Sequence, residues 1–381
     1  MPDAPRTVRL LLLADSHLGF DHPVRPRIKR RRRGHDFMSN YRRALRTAVD
    51  ERVDLVVHGG DVFHRPDVPP SLVHQAFEPL KEVASAGIPV FLVPGNHERS
   101  RIPFDWLTCH PGVHVFEKAR TVGMTLAGVT VTVSGIPCIR RAARTRFRDA
   151  LDLTRWLDDE AELRLLLVHQ AFEGAVVGPS DFTFRHGDDV VRLGDVPPRF
   201  AAVLAGHIHR SQVLETDLRG RPCPAPVFYP GSVERTAFAE RGEPKGFMTL
   251  DLVPGAAGGA VSRWAFRDLE ARPMEIRPLR VRGLSAAALE RELRSALAAV
   301  PPDTVLRLEA DGPPEMGAEA VLRAERLRTL APDMNVGVVI PGLRRWKGRA
   351  PGGASSPSDA TRPARGAPRG AAGSDQRSLF E

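Results

Sequence analysis

The stretch Ile88-Pro89-Val90-Phe91-Leu92-Val93-Pro94-Gly95-Asn96-His97-Glu98 decides how this chain is read. An apolar strand runs to Val93, a Pro-Gly turn stops it, and the turn presents an amide, an imidazole and a carboxylate. A strand ending this way puts its side chains on the loop rim where α/β proteins keep their chemistry. The pattern recurs four times. Leu10 to Ala14 runs into Asp15-Ser16-His17, Leu55 to Val57 into His58-Gly59-Gly60-Asp61, Leu163 to Val168 into His169, and Ala201 to Ala205 into Gly206-His207-Ile208-His209. One histidine after a strand is ordinarily a loop residue. The set Asp15, His17, Asp61, Asn96, His169, His207 and His209 reads instead as N and O ligands for metal, of a kind that suits Mn, Fe or Zn better than Ca.

A chain of 381 residues is long enough for a large core plus an accessory module, and 42% hydrophobic residues describe a globular protein. Behind Met1 to Arg6 there is no apolar run of the kind a signal peptide needs, and no stretch approaches a membrane span. The expected location is therefore the cytoplasm, with no membrane partner. Cys109, Cys138 and Cys223 are isolated, odd in number and without a CxxC pair, and they read as reduced, buried thiols.

The formal net charge is +9, but only five of the 55 basic residues are lysine, a bias that GC-rich coding also produces. Location says more than total. The run Arg25 to Arg33 flanks the first proposed ligands, and Arg30, Arg31, Arg32 and Arg33 are candidates for contact with a nucleic-acid phosphate backbone. From Leu343 onward, eight basic residues stand against three acids.

In chain order, helices are predicted from Asp36 to about Arg52 and from Pro70 to Ala86, so the first three strands form a β-α-β-α-β unit. Thr121 to Leu126 and Val129 to Ser134, joined by Ala127-Gly128, read as a hairpin, and helix follows from about Arg144 to Trp156. Gln212 to Asp217, Val227 to Tyr229, Gly246 to Leu252 and Val261 to Phe266 read as antiparallel strands closing a second sheet. Residues 1–272 are expected to form the main domain. A small α/β module over 273–342 carries strands near Ile276, Val305 and Val336, with helices from Ser285 and Ala318, and 343–381 forms a disordered basic tail.

Asp15-x-His17, Gly60-Asp61, Gly95-Asn96-His97-Glu98, His169 and Gly206-His207-x-His209 resemble the five motifs of the calcineurin-like metallophosphoesterases, in order. More narrowly, Ala14-Asp15-Ser16-His17-Leu18-Gly19, Gly60-Asp61-Val62-Phe63-His64 and Tyr229-Pro230-Gly231-Ser232-Val233-Glu234-Arg235-Thr236 resemble the SbcD-type DNA repair exonucleases. The resemblance implies a two-sheet sandwich flanked by helices, followed by an α/β capping module. It implies two divalent ions, Mn2+ in the family, in a phosphodiesterase acting on DNA. One carboxylate can give an oxygen to each ion, which makes Asp61 the natural bridge. The resemblance assigns Asp15, His17 and His209 with Asp61 to one ion, and Asn96, His169 and His207 with Asp61 to the other. It makes His97 the general acid or phosphate-orienting group, supported by His64.

Two other functions are compatible with these motifs: a metallophosphoesterase acting on nucleotides or phosphoproteins, and a DNA-binding scaffold without catalysis. The complete ligand set argues against the scaffold, and the basic flanks and extra module argue against a small substrate. SbcD-type chains commonly dimerise, and after the capping domain they carry an amphipathic helix that docks on an SMC-like ATPase. Gly348 to Ser374 takes that place here and cannot form such a helix, which leaves the ATPase partner open. Gln376-Arg377-Ser378-Leu379-Phe380 resembles the peptide that docks on the bacterial sliding clamp, with Gln376, Leu379 and Phe380 as its contacts.

Overall fold

The structure is a computed structural model, and it describes residues 6–21, 32–98, 102–158 and 160–340. Arg30 and Arg31, the tail from 343 and the docking peptide Gln376 to Phe380 lie outside the described residues.

The protein is a mixed α/β sandwich of two six-stranded sheets with helices on the outer faces. Val8–Leu13, Leu55–His58, Val90–Leu92 and Val113–Val115 run parallel in the first sheet, beside Gly246–Val253 and Ala260–Asp268 on the other flank. The second sheet is ordered Gln212–Thr216, Pro222–Tyr229, Ala202–Gly206, Leu163–His169, Val129–Ile136 and Arg120–Leu126. Strands covered on both faces read as continuous apolar runs, because each residue faces one layer or the other. All seven residues of Leu163–His169 are buried. Leu163, Leu165 and Leu167 meet Leu10, Leu12, Val57 and Phe91 between the sheets, while Leu166 and Val168 pack outward against Phe147 and Phe172. On the opposite outer face, Leu11, Leu13 and Val56 receive Phe37, Tyr41 and Leu45 of the helix Gly34–Asp50 and Phe77 and Leu80 of Pro70–Ser85.

The hairpin turn falls on Ala127 and Gly128, with φ of 46° and 74°, the pair of positive values a two-residue turn needs to match strand twist. Several expectations fail. Gly246–Val253 and Ala260–Asp268 belong to the first sheet, where Val8 pairs with Leu252 and Leu12 with Met248. Pro222–Tyr229 also runs parallel, beside Ala202–Gly206, so the second sheet is not closed by antiparallel strands throughout. The cysteines are not buried: Cys109 is exposed, and Cys138 and Cys223 are partly so. Among the described residues no helix is long and apolar enough to cross a membrane.

After Pro273 the chain builds a separate three-stranded parallel sheet from Met274–Leu279, Val305–Ala310 and Asn335–Val339. Leu306 and Leu308 pack with Leu289 and Leu293 of the helix Ala286–Ala298 and Leu327 of Ala324–Leu330. Arg272 joins this unit to the sandwich and is itself buried. Its guanidinium donates to Asp36 at 3.0 Å, to Asn335 at 2.8 Å and to the Asp333 carbonyl at 3.1 Å, while its backbone N–H donates to Glu234.

Arg33 enters the same buried network, 3.7 Å from Glu234, and stacks over Phe20 and Phe37. The expectation that Arg33 touches a nucleic acid is therefore corrected: its head group is withdrawn from solvent and donates to the Arg235 carbonyl inside the protein. Removing one member of such a network leaves its partners' charge buried and unpaired. Arg272→Ala is expected to lower stability by about 3–5 kcal/mol, measured by denaturant unfolding of the full chain. A loss below roughly 1 kcal/mol, the scale of an exposed ion pair, would show that the joint does not depend on this residue.

Candidate metal centre

Each proposed ligand sits just past, or at the last residue of, a parallel strand, and both sheets present those ends on the same side of the sandwich. Turns of opposite sheets meet there without intervening side chains. A Cβ on Gly206 would lie 2.1 Å from the Gly59 carbonyl oxygen, and one on Gly60 would lie 2.6 Å from Nδ1 of His169. Backbone bonds knit the loops: Asp15 N–H donates to the Gly60 carbonyl, His17 N–H to that of Asp61, and His97 N–H to the Asp61 carboxylate. Asp15, His17, Asp61 and His207 all have positive φ, between 42° and 88°. Non-glycine residues rarely adopt this region, and such strain clusters at functional sites.

The side chains converge in two groups. Nε2 of His17 lies 2.9 Å from Nε2 of His209, with Asp15 4.0 Å from His209. The Asn96 amide oxygen lies 3.0 Å from Nε2 of His169 and 2.9 Å from Nδ1 of His207, with Asp61 3.4 Å from His169. Asp15 and Asp61, both buried, stand between the groups: Asp15, Asp61 and His169 have ligand atoms within 4.8 Å of one another. His207 is exposed, so its group is open to solvent on that side.

The donor set fits divalent cations. Nδ1 of His17 is buried with no hydrogen-bond partner among the described residues. Two ring nitrogens meeting at 2.9 Å, as in His17 and His209, are both satisfied when each offers a lone pair to a shared cation. The outer nitrogens of His169 and His209 are already committed. Nδ1 of His169 donates to the Gly59 carbonyl at 2.7 Å, and Nδ1 of His209 faces Glu240 at 3.1 Å, which leaves each Nε2 free to ligate.

The electrostatics are those of crowded buried charge. Desolvation, reinforced by Asp61, raises the Asp15 carboxyl to about 6. Burial acts the same way on Asp61, but His169, His17 and His97 around it together hold this carboxyl well below the usual range. Burial opposes the charge on His169 too, yet Asp61 lifts the imidazole to about 9. Such opposed shifts among touching groups mark functional sites.

Beside the ligands, Nδ1 of His97 donates to the His64 carbonyl at 2.7 Å, and Nε2 lies 3.8 Å from Asp61. The His64 ring stacks on His97 at a centroid distance of 5.6 Å. Arg32 donates to the Asp21 carbonyl at 3.2 Å.

Three further residues shape the centre. Glu98 is not presented to solvent as the sequence suggested: it is buried and accepts the backbone N–H groups of Asp61, Phe63 and Gly95. Its place in the opening stretch could have flagged it. Glu240 and Lys245, which grip His209, had no such signal, lying more than thirty residues downstream in a turn between strands. Gly206→Ala is expected to destabilise the fold by roughly 1–3 kcal/mol and to weaken metal binding, both read by unfolding and Mn2+ titration. Gly194→Ala, where a Cβ meets nothing within 4 Å, is the control. Equal behaviour of the two variants would show that the seam tolerates a side chain.

Residues 8–211 match the family model described as calcineurin-like phosphoesterase, a span that takes in every loop from Asp15 to His209. Among curated proteins the chain is similar to the DNA double-strand break repair protein Mre11 of Haloferax volcanii, 29% identical over 70% of this chain and 53% of that one. The protein of the same name in Halobacterium salinarum is 28% identical over 64% of this chain and 56% of its own. For Methanosarcina mazei the figures are 26%, 65% and 36%. The chain thus spans about half, or less, of the length of these relatives. A dimetal phosphatase from Danio rerio is matched at 14% identity and a TM-score of 0.39, covering 68% of this chain and 99% of that one. With more than half of its length inside the family model, the chain belongs to the calcineurin-like phosphoesterases.

Proposed function

We propose that the protein is a DNA nuclease that hydrolyses phosphodiester bonds with two divalent ions, Mn2+ being the expected metal. The observation that carries this reading is the pairing of two ligand groups about Asp15 and Asp61, in a member of a phosphoesterase family whose curated relatives are named for DNA double-strand break repair. Asp15, His17 and His209 would hold one ion, Asn96, His169 and His207 the other, and Asp61 would serve both. The chemistry such a pair supplies is polarisation of the phosphodiester, activation of water and charge neutralisation at the departing oxygen.

The chain's own residues do the rest. The Gly59 carbonyl and Glu240 fix the tautomers of His169 and His209. Asn96 adds a ligand without adding negative charge, which keeps the centre attractive to an anionic substrate. His97, held by the His64 carbonyl through Nδ1, keeps Nε2 available to carry a proton to the leaving oxygen or to orient a phosphate. Phosphate contacts outside the centre are assigned to Arg30, Arg31 and Arg32, without Arg33.

Asp61→Ala and His207→Ala are expected to lose both hydrolysis and bound metal. His97→Ala should keep near wild-type metal content while turnover falls by about 10²–10⁴-fold. Elemental analysis and a nuclease assay check this together, and equal metal loss in all three variants would remove the role given to His97. The function itself is tested with the full chain and Mn2+ on linear duplex DNA, single-stranded DNA and a small aryl phosphate. Cleavage of the aryl phosphate with neither DNA cut would favour a nucleotide or phosphoprotein phosphoesterase.

A further inference from the structure

The three-residue turn Phe238–Glu240 lies between the ligand His209 and the C-terminal module, and each of its ends is held by one of them. On one side, Glu240 is buried and its carboxylate takes Nδ1 of His209 at 3.1 Å, the Thr236 N–H at 3.2 Å and the Lys245 ammonium at 2.8 Å. Lys245, also buried, reaches the backbone carbonyl of His209 at 2.8 Å, so ring and main chain of that ligand are gripped from one segment. On the other side, the guanidinium of Arg307, from the middle strand of the module, sits 4.3 Å from the centre of the Phe238 ring. The strap has a second tie to the module's base: Arg235 donates to the carbonyls of Ala271 and Arg272 and to those of Glu240 and Glu243.

We propose that this turn is a positioning element, through which the seating of the C-terminal module sets the ring direction of His209 and thereby the affinity of one of the two metal positions. Glu240 and Arg307 are its two ends. The proposal rests on the metal-centre reading above. A carboxylate behind a ligating imidazole fixes which nitrogen carries the proton and how the ring is aimed. Here that carboxylate rides on a three-residue turn whose other end, Phe238, is met by a ring–guanidinium contact from the module's middle strand. The consequence is selective: the group containing Asp15, His17 and His209 senses the module, and the group containing Asn96, His169 and His207 does not.

The test is Mn2+ titration of the metal-free full chain by calorimetry, with histidine ring nitrogen resonances as a second readout. Glu240→Gln is expected to weaken one class of sites by about 10-fold or more and to move the His209 ring away from a single tautomer. Arg307→Ala should weaken the same class by a few-fold, on the order of 3–10-fold, with the other class unchanged. Arg307→Lys, which keeps a cation over the ring, should restore most of the loss. Arg294→Ala, on the far face of the module, should match wild type. Wild-type affinity at both classes in Arg307→Ala, or equal weakening of both, would overturn the coupling. A wild-type chain that binds no metal at all would overturn the metal-centre reading together with the proposal.

Discussion

The contact between Gly59 and Gly206 is the constraint on which the centre depends. It is a backbone-to-backbone approach between loops of opposite sheets, and any side chain at Gly206 would collide with the Gly59 carbonyl oxygen. That same oxygen accepts the Nδ1–H of His169, so the seam that closes the sandwich also orients a candidate ligand. Because strands of both sheets end at this seam, residues more than a hundred positions apart reach one volume without any long loop to carry them. Rigid elements place side chains more accurately than loops do, and here nearly all the candidate ligands stand within a few residues of a strand.

The cost of this arrangement is written in the backbone and in the charges. Four candidate ligand positions sit at positive φ, and each such non-glycine residue costs on the order of 1–3 kcal/mol. Buried carboxyls at Asp15 and Asp61 face imidazoles that are themselves buried, and neither set could be taken out of water alone. The apolar core between the two sheets, built from residues such as Leu10, Leu12, Leu165, Leu167 and Leu250, supplies the surplus that holds such a site in place. Binding of cations would add to that surplus, since what binds only the folded chain stabilises it.

Much of this was legible in the sequence because parallel strands covered on both faces leave an unbroken apolar run with polar residues at its end. Leu163 to His169 is such a case: its period says nothing about facing, but its length and its terminal histidine say where it stops. Which sheet a late strand joins was not legible. Gly246–Val253 could have paired locally with Pro222–Tyr229, and only the three-dimensional crossing through 231–245 returns it to the first strand. Arg33 misled for a related reason. In a run of arginines its charge reads as a solvated patch, whereas its partner Glu234 lies some two hundred residues away. Glu98 was visible, but its orientation depends on three backbone donors that no local pattern announces.

The return of Gly246–Val253 to the first strand has a consequence for how the protein is made. Val8–Leu13 is an interior strand, bordered on one side by Leu55–His58 and on the other by a segment that leaves the ribosome about 240 residues later. At roughly 5–20 residues per second, one hydrogen-bonding edge of this largely apolar strand stays without its native partner for about 12–50 s. An open apolar edge is a template for pairing with another chain. Until Gly246–Val253 has been made, the sheet cannot be completed on that side.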